Sequence, residues 1–182
     1  MRELTILCSG RLAARFFRDG DRYAHEIGVE SDDGFTALFA SREGAPEENW
    51  PPSPPLQHLH VEQRGEGQVL LLIGKAGDGH WSAAVQANDN GQIEFDIACR
   101  GGRPPERIGS TYRTAPLLQP LRRGEWRITT ATESIHVTCE ALDYARRVDT
   151  PPGALLIVPA LADEYPATLR WRFRFGIDGG GD

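Results

Sequence analysis

The sequence predicts an all-β protein, an antiparallel β-sandwich or barrel of about eleven strands with a central four-stranded meander. Three observations predict it. Apolar residues alternate with polar ones at a period of two along most of the chain, and stripes at helical spacing are nearly absent. Gly67, Gly79 and Gly91 recur every twelve residues, each closing a polar triplet, as successive hairpins would require. The segment ATLRWRFRFGI alternates without a break, placing Leu169, Trp171, Phe173, Phe175 and Ile177 toward a core and Arg170, Arg172 and Arg174 away from it. At 182 residues the chain suits one β-rich domain spanning residues 1–182.

The first element is the hairpin RFFRDGDRYAHEIGV, in which Asp19-Gly20 is a type I′ turn signal. Pairing around that turn sets Phe16 opposite Tyr23, Ala14 opposite His25 and Leu12 opposite Ile27, all on one apolar face. His25 therefore reads as a core histidine satisfied by a single hydrogen bond. A turn at SDDG and a short strand, FTALFAS, follow. Residues 46–55 then form a Pro-rich connection, since Pro51, Pro52, Pro54 and Pro55 enforce extended backbone and remove ladder donors. A crossover between two sheets is the expected role, with a proline-rich ligand for a partner's groove as the alternative.

The meander covers residues 56–64, 68–76, 80–88 and 92–100, with a left-handed glycine ending each three-residue loop. Closing the loops at Arg64 with Gln68, Ala76 with His80 and Asn88 with Gln92 gives two apolar rows: Val61, Leu71, Val85, Phe95 and Leu59, Ile73, Ala83, Ile97. Beyond the meander come a short strand at 110–113 and a hairpin at GEWRITTATESIHVTCEAL, in which Ile135, Val137 and Cys139 alternate. The segment ALLIVPAL, 154–161, reads as a strand buried on both faces, and residues 178–182 as a flexible tail.

The formal net charge of −6 weighs against tight binding to phosphate backbones, so nucleic acid is not an expected partner. No apolar run approaches the roughly 18 residues of a membrane span, so no membrane partner is expected. Cys8, Cys99 and Cys139 are widely spaced and odd in number, which suits reduced thiols and a cytoplasmic location. A Ser-His-Asp motif, a nucleophile elbow, a Walker loop and a dinucleotide fingerprint are all missing from the sequence.

Three of the five histidines fall on the outer face of the meander. On the expected register His58 shares a row with Gly74, Ser82 and Ala98, His60 shares one with Leu72, Ala84 and Asp96, and His80 lies opposite Ala76 and Arg100. His58 and His80 are then about 12 Å apart at Cα, too far for one metal ion. His58 and His60, with Glu62 on the same face, make a half-site. This His-x-His spacing on a strand resembles the cupin family, which implies a metal-dependent β-barrel enzyme holding one divalent metal ion through His58, His60 and Glu62. The cupin pattern has glycine six residues before the first histidine and glutamate four or five after the second; here stand Pro52, and Arg64 or Gly65.

Gly74, Ser82 and Ala98 form a row of small residues flanked by His58, His60, His80, Asp96 and Arg100, a trough that accepts a close-packing segment or a small polar ligand. The Pro-rich connection or the N-terminal hairpin is the segment expected to fill it. Arg100, Arg103, Arg107 and Arg113 read as a solvated basic loop, and Arg170, Arg172 and Arg174 as a solvent face paired with acids on neighbouring strands. The leading expectation is a noncatalytic β-sandwich module without a cofactor, binding a partner protein or small ligand; the alternative is the cupin-like metal enzyme.

Overall fold

The computed structural model describes residues 4–65, 67–129, 133–148 and 150–178. In chain order the strands are β1 (Leu4–Ser9), β2 (Leu12–Asp19), β3 (Arg22–Ser31), β4 (Gly34–Ser41), β5 (Leu56–Arg64), β6 (Gly67–Ala76), β7 (Gly79–Asn88) and β8 (Gln92–Gly101). There follow β9 (Ser110–Thr114), β10 (Gln119–Arg122), β11 (Glu125–Thr129), β12 (Ser134–Ala141), β13 (Ala145–Val148), β14 (Ala154–Pro159) and β15 (Ala167–Asp178). They form a seven-stranded sheet, β1-β2-β3-β4-β9-β14-β13, and an eight-stranded sheet, β10-β11-β12-β15-β8-β7-β6-β5. Both sheets have free ends, so the fold is a sandwich and not a closed barrel. No helix among the described residues is long and apolar enough to cross a membrane.

The core lies between the sheets and is aromatic at its centre. Phe95 on β8 stacks on Phe173 of β15 with ring centroids 5.0 Å apart, and His25 from the opposite sheet lies 5.3 Å from Phe95. The alternation of β15 is as the sequence expects: Leu169, Trp171, Phe173 and Phe175 are buried. β14 differs, because only Leu155, Ile157 and Pro159 are buried while the residues between them are half-exposed. A run of apolar side chains thus hides one face and leaves the other at the surface.

The strand count exceeds the expectation of about eleven. β1, β10 and β13, which the sequence pattern does not reveal, all lie at sheet edges and are at most six residues long. An edge strand packs against one neighbour only, so its side chains carry a weak periodic signal. β15 runs to Asp178, one residue into the stretch expected to be a tail; residues 179–182 lie outside the described residues.

The meander has the expected strands, with one register correction. Arg64 pairs with Gly67 and Ala76 with Gly79, so the first two loops contain two residues. Gly65 at φ 61 and Gly77 at φ 56 take the left-handed position that opens each loop, leaving Gly67 and Gly79 inside the strands. The third triplet, Asp89-Asn90-Gly91, begins without glycine, and there the three-residue loop forms as expected, with Asn88 opposite Gln92 and Gly91 at φ 70. The slip by one turns β6 over. The core rows become Val61, Leu70, Val85, Phe95 and Leu59, Leu72, Ala83, Ile97, and Ile73 points outward, 58% exposed. Because β6 slips at both borders, the offsets cancel, and β5 keeps its expected alignment with β7. The first hairpin slips by two: Phe16 pairs with His25 and Ala14 with Ile27, which preserves the faces, and Gly20 at φ 64 opens the loop.

The Pro-rich connection crosses from β4 in one sheet to β5 in the other and seals that end of the sandwich. Pro51, Pro54 and Pro55 are buried, and Trp50 meets Trp81 edge-on at 5.7 Å. Ser53 Oγ donates to the Thr111 carbonyl at 3.0 Å and accepts the Thr111 N–H at 3.1 Å, while Thr111 Oγ1 donates to the Pro52 carbonyl at 2.8 Å. Gly74 on β6 admits this segment: a Cβ there would lie 1.7 Å from the Pro55 carbonyl oxygen.

Candidate functional site

Six of the seven residues singled out by sequence share the outer face of the eight-stranded sheet. His58 stands in a row with Ile73, Ser82, Ala98 and Arg170; His60 in a row with Leu71, Ala84, Asp96 and Arg172; His80 between Lys75 and Arg100. Gly74 is the correction. It faces the interior beside Trp81 and Leu56, so the trough of small residues does not form, and Ile73 fills its place in the row. His58, His60, His80, Ser82 and Arg100 are exposed and Asp96 half-buried. The Pro-rich connection does pack against Gly74, but behind this face and not upon it.

The half of the face over β8, β15 and β12 is an ion-pair ladder. Arg170 bonds Asp96 at 2.7 Å through Nε, Arg172 reaches Glu94 at 3.2 Å and Asp143 at 2.7 Å, and Arg174 bonds Glu140 at 2.8 Å. Each pair stiffens the sheet and uses up its own charges, as the alternation of β15 led one to expect. Among the described residues the half over β5, β6 and β7 has no cross-strand ion pair of this kind. It presents His58, His60 and His80 around Leu71, Ile73, Ser82, Ala84 and Ala98. On β5, Glu62 is engaged by Arg64 of its own strand at 3.1 Å. Among the described residues no group of three or more His, Cys, Asp or Glu lies close enough to hold a metal ion. In the basic loop Arg103 pairs with Asp78 at 3.4 Å.

A second polar region went unread in the sequence, where Ser41-Arg42-Glu43 looks like an ordinary strand end. A cleft of about 520 Å³ opens beside the Pro-rich connection, lined by Arg42, Glu43, Glu48, Pro52, Glu106 and Arg107. Ser41 Oγ donates to Glu43 Oε1 at 2.6 Å and accepts the His25 N–H at 2.9 Å. Glu43 Oε2 is buried without a partner among the described residues, as is Nη1 of Arg22, a side chain only 2% exposed whose other nitrogens hold Asp21. Burial raises the Glu43 carboxyl to about 7, against the opposing effects of the Ser41 hydrogen bond and the Arg22 charge. Glu43 lines the cleft, but its unpartnered oxygen is itself shielded from solvent.

No protein-family model matches the chain, and no curated protein is significantly similar to it. Among solved structures it is similar to the heparinase III BT4657 gene product with methylated lysines, at TM-score 0.48 and 11% identity over 98% of this chain and 36% of that one. The same product without methylation gives 0.47 and 12% over 98% and 36%. The periplasmic domain of Thermotoga maritima YidC gives 0.45 and 12% over 97% of this chain and 87% of that one. The chain thus spans little more than a third of the heparinase III chains it resembles, at 36%.

Proposed function

We propose that this protein is a noncatalytic β-sandwich module that binds a partner protein through the half of its eight-stranded sheet over β5, β6 and β7. The observation that carries the reading is Ile73, 58% exposed one strand in from the sheet edge, with Leu71, Ala84 and Ala98 beside it and three histidines, Ser82 and Arg100 around it. An apolar centre with a polar rim is the anatomy of a protein interface. The surface is a sheet face and not a concavity, which favours a macromolecular surface over a small molecule, since small ligands take clefts. Three unpaired cysteines accord with a reducing, cytoplasm-like compartment.

A photo-crosslinking side chain placed at Ile73, and separately at exposed Arg113 on the opposite sheet, tests the proposal in living cells. A discrete crosslinked species from position 73, lost when Ser82→Trp is added and missing at position 113, is the expected result. Equal labelling from both positions, or labelling from 73 that survives Ser82→Trp, would refute it.

A further inference from the structure

The sandwich has four edge strands, and three of them are blunted. β10 and β13 have four residues each, β10 carries Pro120, and β1 has six residues. β5 is different: nine residues without proline, ending its sheet with one side unpaired by any strand of that sheet. A long open edge is an invitation to another strand, which natural proteins suppress unless they use it. At its start β5 is occupied, because Arg18 bonds the Gln57 carbonyl at 3.0 Å and the Gln57 side chain bonds the Lys75 backbone in the bulge. From His58 to Glu62 the edge is open. Val61 is 41% exposed there although it belongs to a row that is otherwise core.

We propose that two copies of this chain pair antiparallel through β5 about a two-fold axis at His60, joining their eight-stranded sheets into one continuous sheet. The side chains select the occupant and the register. Residues directly opposite one another share a face, so the axis must pass through a residue and not between two. Centred on Leu59, the pairing opposes His58 and His60 twice on the outer face and leaves Glu62 without an opposite residue in the open stretch; centred on Val61, it sets His58 against Arg64; centred on Glu62, it opposes two carboxylates. Centred on His60, it sets His58 against Glu62 of the second copy twice on the outer face, and Leu59 against Val61 twice on the inner face. His60 then faces its own copy. Both kinds of pair are favourable across strands, and symmetry doubles each. Glu62 keeps Arg64 and still has acceptor capacity for the His58 N–H. The dimer would bring the two interaction faces described above side by side.

Sedimentation of the full chain over a wide concentration range tests this directly, with a reversible monomer–dimer equilibrium expected. Directly opposed residues of an antiparallel pair have Cα atoms about 4.5 to 5.5 Å apart, within disulfide reach. In a Cys8→Ser background, His60→Cys should therefore crosslink two copies on mild oxidation while exposed His80→Cys on the same face should not. His58→Glu should weaken the dimer about tenfold by opposing Glu62, and adding Glu62→Lys should restore it. A monomer at every concentration overturns the proposal, as does equal crosslinking at positions 60 and 80, or a His58→Glu dimer that is unweakened. These readouts report self-association alone, so they are separable from a species of a different mass captured at position 73.

Discussion

The imidazole of His25 and the hydroxyl of Tyr112 meet at 2.9 Å across β4, the strand that separates their own strands in the seven-stranded sheet. Phe16 packs against the ring at 5.0 Å and Phe95 at 5.3 Å, and the two phenyl rings touch each other with centroids 6.4 Å apart. The sequence reading of His25 as a core residue with one hydrogen bond agrees with this geometry. Its second ring nitrogen, Nδ1, has no partner among the described residues.

Burial lowers the pKa of His25 from 6.5 to about 3, so the native state holds it neutral where the unfolded chain is protonated. The stabilisation is complete above pH 6.5 and is lost as the pH falls from there through 3. Across that window the acid limb of a urea-denaturation profile should drop by a few kcal/mol, at a slope of roughly 1.4 kcal/mol for each step of one in pH. His25→Phe should flatten the limb while lowering stability near neutrality by about 1 to 3 kcal/mol, because Tyr112 loses its partner. An unchanged acid limb in that variant would place the titration elsewhere.

Glu43 gives the opposite slope. Its folded pKa of about 7 lies above the unfolded 4.5, so its contribution is full below pH 4.5 and is lost as the pH rises through 7. Glu43→Gln, neutral throughout, should stabilise the protein by about 3 kcal/mol at alkaline pH relative to acid pH. With both groups present, stability should peak at mildly acidic pH. Parallel pH profiles for Glu43→Gln and the parent protein would contradict the assignment.

Gly74→Ala tests the seal between β6 and the Pro-rich connection. The added Cβ would collide with the Pro55 carbonyl at 1.7 Å, a backbone atom that cannot swing aside. A loss of about 2 to 4 kcal/mol is expected in chemical denaturation. Gly67→Ala is the control, since its Cβ meets only the Arg64 carbonyl oxygen at 3.9 Å. Similar melts for the two variants would mean that the connection can lift away.

Loop chemistry in the meander is checked by a pair of valines. Gly65 has φ 61 and Gly67 has an ordinary strand backbone, so Gly65→Val should cost about 1 to 3 kcal/mol and Gly67→Val much less. The reverse order would restore the three-residue loop and the register in which Leu71 faces the core.

Much of this fold was legible in the sequence. The period of two and the glycine rhythm located every strand of the meander, and the alternation of β15 separated its core residues from its arginines before any partner acid was known. The orientation of β6 was beyond that reading, because Leu70, Leu71, Leu72 and Ile73 are apolar at both parities and either face could have been buried. Turn geometry decided it, through the glycine that opens each two-residue loop. The histidine face survived the slip only because β6 erred equally at both of its borders. Only tertiary structure decided what covers each surface. The Pro-rich connection lies behind Gly74 and leaves Ile73 and the histidines open, and whether a flat apolar centre is core or surface depends on where a distant segment packs. Glu43 shows the same limit most plainly: its near-neutral titration comes from burial by residues far along the chain, and the three letters around it hold no trace of that burial.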